Sequence, residues 1–285
     1  MTINKHFLHQ DYAYRPAPES YQLLKPDPSQ LDESADFAES LSDARDRFIA
    51  NGIRRIILVH GTMVGTDALG WYGHWERVFP WFSRKMKRTY KKLVDTISGD
   101  RGNYDEGFLL AFRSGMTSSD ARESIAVDRL EWTGENHHLG RADAAVKLCH
   151  RLLDCHEANE RVMLWGHSHA GNVFAIGTQL LQASNEGNLL LLSRFFHASS
   201  FFHEATGRID LSEWDRLHAR LVDYANRREA VSPAEVVTFG TPIRYGWPEP
   251  QRAQLHHFVN HETSDNSPLY RGQWPTNSQQ WVRSI

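Results

Sequence analysis

Ser168 stands in the run Gly166-His167-Ser168-His169-Ala170-Gly171, with small residues two before it and two and three after it. A serine hydroxyl is a poor nucleophile at neutral pH. It reacts when a turn presents it beside a base and near donors that can hold an oxyanion. A tight strand-to-helix turn does this, and its backbone passes so close to neighbouring elements that small residues are needed where Gly166, Ala170 and Gly171 stand. The apolar run Arg161-Val162-Met163-Leu164-Trp165 before the turn reads as a strand, and the amphipathic stretch from Ala170 to Ala183 after it reads as a helix. The bland alternative is a serine that caps a helix N-terminus at a glycine turn.

A second element lies upstream. Ile53-Arg54-Arg55-Ile56-Ile57-Leu58-Val59-His60 is a β-branched apolar run that breaks at Gly61. A turn of the type His60-Gly61-Thr62 can aim the amide of Thr62 at an oxyanion, with the amide of His169 as the second donor. The alternative makes His60 a core histidine bonded to local backbone. The pairing of this turn with the Ser168 run favours the oxyanion reading.

These two motifs, together with Phe239-Gly240-Thr241-Pro242, resemble the α/β-hydrolase superfamily on its lipase and esterase side. Trp132-Thr133-Gly134-Glu135-Asn136 with Arg141 is similar to a segment of uncharacterised bacterial hydrolases of that superfamily. The resemblance spans roughly residues 53 to 261, with Ala170 in place of the commoner glycine. It implies a three-layer α/β/α sandwich with a mostly parallel central sheet, the α/β-hydrolase fold. It also implies Ser168 as nucleophile, an ester as substrate and no cofactor.

The superfamily's order puts an acid and then a histidine after the nucleophile, near the ends of late strands. Asp265 follows the last clear strand, where class 3-type lipases carry an Asp shortly before a proline, and is the acid the resemblance implies. The sequence departs from the order at the base, because no histidine follows His261. Two readings stay open. In one, His261 at the end of the Leu255–Asn260 run is the base, with Asp265 orienting it out of the usual order, or Asp210, Asp215 or Glu249 doing so. In the other, the final histidine is missing and the fold serves as an inactive binding or scaffolding module. An acyltransferase would use the same site.

The elements that position these residues alternate. Helical spacing runs from Ser34 to Ala50, the first strand starts at Ile53, a weaker strand covers 124–132 and a helix covers 139–155. The strand before Ser168 and its following helix come next, then a helix over 212–228 and strands at Glu235–Phe239 and Leu255–Val259. Strand and helix in alternation imply parallel pairing with right-handed crossovers. Residues 1–31, rich in proline, read as an extended arm, and 98–120, with Gly99, Gly102, Gly107 and Gly115, as a loop-rich candidate lid. No composition shift marks a domain boundary, so one domain over 1–285 is expected.

Bulk composition narrows the partners. A net charge of −3 offers no basic field for phosphate backbones, so nucleic acid is not expected. No apolar run reaches the roughly 18 residues of a membrane span, and Met1 to His6 leads into no apolar stretch. With Cys149 and Cys155 six apart in a helical segment and read as reduced, a cytoplasmic chain is expected. The histidine pairs His137-His138 and His256-His257 lack the spacing of a metal site, so no metal is expected. The partner expected is a small-molecule or lipid-like ester; oligomeric state is not legible.

Overall fold

A computed structural model describes residues 21–24, 35–62, 104, 106–206, 210–242, 244–248, 254–260 and 281–284. In chain order the elements are β1 (Tyr21–Leu24), α1 (Ala35–Ala50), β2 (Ile53–Val59), α2 (Glu106–Met116), β3 (Ala126–Leu130), α3 (His138–Glu157) and β4 (Arg161–His167). They continue with α4 (Ala170–Asn185), α5 (Leu189–Thr206), α6 (Leu211–Arg227), β5 (Glu235–Phe239), β6 (Leu255–Asn260) and β7 (Trp281–Ser284).

The strands β2 to β6 form a five-stranded parallel sheet in the order β3-β2-β4-β5-β6, and helices flank it. β7 adds antiparallel to β6, and β1 adds antiparallel to β7 at the edge. The proline-rich arm thus contributes Tyr21–Leu24 to the sheet, at the edge, where proline-flanked segments are tolerated.

Alternation along the strands feeds two cores. Ile57 and Val59 of β2, Leu164 of β4 and Val236 of β5 face a core with α3, α4, α5 and α6. Ile53, Ile56 and Leu58 of β2, Met163 of β4 and Val237 of β5 face the other, with α1 and α2. Strands buried on both faces need the continuous apolar runs seen in β2 and β4. α6 lays Trp214, Leu217, Leu221 and Tyr224 into the first core at helical spacing and leaves its other side polar.

Connection direction decides which face each helix takes. From β2 the chain steps outward to β3 through α2, then crosses back over β2 to β4 through α3. Right-handed crossovers made in opposite directions place their helices on opposite faces. The carboxyl ends of these two neighbouring strands are therefore the point where strand order reverses.

Two sequence expectations change. The candidate lid over 98–120 contains α2, a core helix whose Leu109, Phe112 and Met116 are buried. Its Gly115 is no loop signal: a Cβ there would lie 2.6 Å from Leu41 Cβ of α1, so glycine permits the close approach of the two helices. The short runs at 189–192 and 195–196, unassigned by periodicity, belong to α5, where Leu192 and Phe196 are buried. Among the described residues no helix is long and apolar enough to cross a membrane.

Candidate functional site

β4 passes into α4 through Ser168, whose φ is 53°. A left-handed backbone at a serine costs on the order of 1 kcal/mol and persists only where surrounding contacts impose it. Asn159 and Arg228 share this conformation, but both follow a helix, where a left-handed residue satisfies the last carbonyls. Ser168 precedes a helix, so no such cap accounts for it.

The contacts that impose the turn are specific. The Ser168 amide donates to the Phe239 carbonyl at 2.8 Å, which ties the turn to the end of β5. The Ser168 carbonyl accepts from Thr241 Oγ1 at 2.7 Å and from the Gly171 amide at 3.3 Å. A Cβ on Gly166 would overlap the Phe174 ring, and one on Gly171 would overlap the Thr241 side chain. The small residues around Ser168 are thus required by α4 on one side and by the Gly240-Thr241 turn on the other. Ser168 itself is half-buried, and its hydroxyl has no hydrogen-bond partner among the described residues.

The turn after β2 is pressed against this serine. A Cβ on Gly61 would lie 3.0 Å from Ser168 Cβ and 3.2 Å from the His167 carbonyl oxygen. Thr62 follows, half-buried, and His169 is buried at the start of α4. The amides of Thr62 and His169 have no backbone acceptor among the described residues. His60 is fixed beneath them: its Nδ1 donates to the Gly61 carbonyl at 2.8 Å, its own carbonyl accepts from Trp132 Nε1 at 3.0 Å, and its ring stacks on Trp132. Burial pushes its pKa below the usual histidine value, so it is neutral and shapes the turn.

Several other described histidines have partners of their own. His137 uses both nitrogens, with Nε2 2.9 Å from Glu135 Oε2 and Nδ1 accepting from the Gly140 amide at the head of α3. His138 Nδ1 meets the Tyr245 hydroxyl at 2.5 Å. His257, on β6, pairs with Thr238 across the sheet, and burial lowers its pKa. His169 Nδ1 accepts from Asn172 Nδ2 at 3.3 Å. Its pKa is lowered to about 4, first by burial and then by the charges of Arg141 and Arg244.

That last cause points to a polar network which sequence reasoning left without a role. Asn172 donates to the Pro242 carbonyl at 2.8 Å and accepts from the Arg244 amide at 3.0 Å, which binds the loop after β5 to the first turn of α4. Tyr245 of the same loop accepts from Arg141 Nε at 3.3 Å, and Arg141 Nη1 donates to Asn136 Oδ1 at 3.1 Å. Arg141 is 2% exposed. An arginine on the buried stripe of a helix, beside alanines and leucines, was the signal available for it; Tyr245 and Arg244 lie in a loop whose pattern marks neither.

The structure thus brings Ser168, Thr62 and His169 together at the carboxyl ends of β2 and β4. His261 and Asp265 lie outside the described residues. The chain enters His261 directly from β6, whose carboxyl end is two strands from β4, roughly 10 Å at the usual inter-strand spacing. No group of three or more His, Cys, Asp or Glu side chains among the described residues is arranged to hold a metal ion. The arrangement sets the Ser168 hydroxyl beside a turn against which Gly61 is pressed, and the flanking amides of Thr62 and His169 have no backbone acceptor among the described residues. Comparison with protein-family models, with curated proteins and with solved structures finds no match to this chain.

Proposed function

We propose that the chain is a serine hydrolase of the α/β-hydrolase type, lipase- or esterase-like, which cleaves a carboxylic ester through an acyl-enzyme on Ser168. The observation that carries the reading is the left-handed Ser168, without a capping role, at the point where strand order reverses in the sheet. Ligands of open α/β sheets bind in the crevice at such a point.

In this reading Ser168 Oγ attacks the ester carbonyl carbon while His261 takes its proton and Asp265 orients the imidazole. The oxyanion of the tetrahedral intermediate accepts hydrogen bonds from the amides of Thr62 and His169. Collapse releases the alcohol with the proton from His261, and water, activated by the same base, then frees the acid and restores Ser168. No cofactor enters these steps. The free, buried Cys149 and Cys155 support a reducing, cytoplasmic setting.

The test is hydrolysis of p-nitrophenyl butyrate. Ser168→Ala is expected to lower kcat by a factor of about 10³ or more, as removal of a nucleophile does, with an unchanged circular dichroism spectrum. Undiminished turnover by the folded variant refutes the proposal. His261→Ala is expected to lose a comparable factor.

One observation favours a second reading. Among the described residues no histidine hydrogen-bonds Ser168, which is what an inactive module that retains the turn would show. A fluorophosphonate probe separates the two: an activated Ser168 is labelled, and an unactivated one is not.

A further inference from the structure

Arg141 is out of place as a structural residue. It sits in the first turn of α3, 2% exposed, on a buried stripe of that helix that is otherwise apolar, and the nearby buried carboxylate of Glu135 is paired with His137. Its guanidinium is held by two neutral acceptors, the Tyr245 hydroxyl and Asn136 Oδ1, and lies 5.9 Å from the centre of the Tyr245 ring. Among the described residues no carboxylate pairs with it, and Nη2 has no acceptor. An isolated buried cation is costly, and folded proteins normally pair one with an anion. Arginine keeps its proton in any protein environment, so it cannot escape by neutralising.

The same guanidinium is tied to the turn that carries Ser168. Tyr245 and Arg244 lie on the loop that Asn172 binds to the head of α4, and Asn172 also holds His169, the residue after Ser168. A continuous chain of contacts therefore runs from Arg141 through Tyr245 and the backbone of Arg244 to Asn172, His169 and Ser168. His169 responds to the charge of Arg141 and of exposed Arg244, both of which disfavour its protonated form. The positive field is thus directed toward the turn that carries Ser168.

We propose that Arg141 is the binding residue for an oxyanion group, a carboxylate or a phosphate, carried by the molecule that binds at this turn. The ligand then supplies the counter-charge that the described residues do not give Arg141. An arginine fork suits a carboxylate or phosphate, which it meets with two parallel hydrogen bonds. On the esterase reading, from which only the word ester is taken, the substrate is an acidic ester, such as a dicarboxylate monoester or a phosphate-bearing ester, in preference to a neutral one.

The test uses Ser168→Ala full-length protein and two probes, glutarate and inorganic phosphate, titrated calorimetrically against chloride at matched ionic strength. Saturable binding of at least one probe is expected, weakened tenfold or more by Arg141→Met. The doubly substituted protein is also expected to melt no lower than Ser168→Ala alone, because removing a buried charge that has no carboxylate partner among the described residues relieves its desolvation. Absence of binding by both probes, or binding that Arg141→Met leaves intact, overturns the proposal. If Arg141→Met does not fold, Tyr245→Phe, which releases Arg141 Nε, is expected to weaken binding severalfold; unchanged binding there overturns it equally.

Turnover separates this inference from the esterase reading. With Ser168 intact, mono-p-nitrophenyl glutarate is expected to exceed p-nitrophenyl pentanoate in kcat/KM by tenfold or more, and Arg141→Met is expected to bring the ratio near one. Glutarate binding that depends on Arg141 in a protein that hydrolyses neither ester sinks the esterase reading and keeps the anion site. Hydrolysis of the neutral ester without glutarate or phosphate binding does the reverse.

Discussion

The two ends of the central sheet treat charge in opposite ways. At the amino ends, Arg55 of β2 meets Asp128 of β3 at 2.5 Å and Glu160, just before β4, at 2.6 Å. Arg161 of β4 likewise meets Glu235 of β5. The hydrogen bonds from Arg55 raise its pKa further above an already high value, so the cation is held by anions of the chain itself. At the carboxyl ends, Arg141 has neutral partners, His169 is held uncharged, and Ser168 carries a strained backbone. A charge closed by its own chain stabilises a fold, and on the reading proposed above one left open serves a ligand. The same sheet would thus separate a region built for stability from one that gives up stability for binding and chemistry.

Substitutions at the two ends sharpen this contrast. Gly166→Val at the carboxyl end should be the most damaging to the fold, because its side chain must displace Phe174 and Ala170; overpacking there costs about 3 kcal/mol, measured as a fall in urea midpoint at constant slope. A variant as stable as the parent would show that the turn has room and that the close approach is not real.

Acidification comes next. Unfolded, His169 takes up its proton near pH 6.5, whereas folded it does so only near pH 4. Between these values the unfolded chain holds more protons, so the contribution is complete above about pH 6.5 and is lost as the pH falls toward 4. The lowered pKa values of His60, His167 and His257 act in the same direction. For His169 the loss is on the order of 1 to 2 kcal/mol, and His169→Asn should flatten the dependence of the urea midpoint between pH 7.5 and 4.5. A midpoint that rises on acidification would contradict the assignment.

At the amino end, Glu160→Gln leaves Arg55 with Asp128 alone. These side chains are 24% and 27% exposed, so water screens part of the effect and about 1 kcal/mol of stability should be lost. Ester turnover should not change, and a parallel fall in kcat/KM would dissolve the separation between the two ends. Smallest of all, Ser168→Gly removes the left-handed strain but adds chain entropy to the unfolded state, so its stability should stay within about 1 kcal/mol of the parent. A larger loss would mean that the serine side chain supports the turn.

Much of the fold was legible because its signals are local. The run from Ile56 to Val59 is apolar without alternation, as a strand covered on both faces requires, and β5 spans the Glu235–Phe239 run around its β-branched centre. Where long-range packing decides, the pattern misled. Gly107 and Gly115 mark loops in isolation, yet α2 is a helix because Leu109, Phe112 and Met116 have a core to enter and Gly115 has α1 to approach. The four leucines from Leu189 to Leu192 carry no period; burial distinguishes Leu192 from the exposed Leu190.

The candidate site divides in the same way. Ser168 follows from sequence alone, because a strand, a small-residue turn and a helix are contiguous and their geometry is set by steric limits on a few adjacent residues. The turn positions of Thr62 and His169 are local in the same sense, since where a backbone amide falls in a turn depends on position more than on side-chain type. Arg141, Asn172, Arg244 and Tyr245 are 104 positions apart at their extremes, counted from Arg141 to Tyr245, and nothing local joins them. They meet only because parallel pairing brings the ends of β3, β4 and β5 to one edge of the sheet. Which charges of the described residues find partners there was therefore decided by the tertiary structure, since burial and counter-charge are properties of the assembled edge and of no single segment.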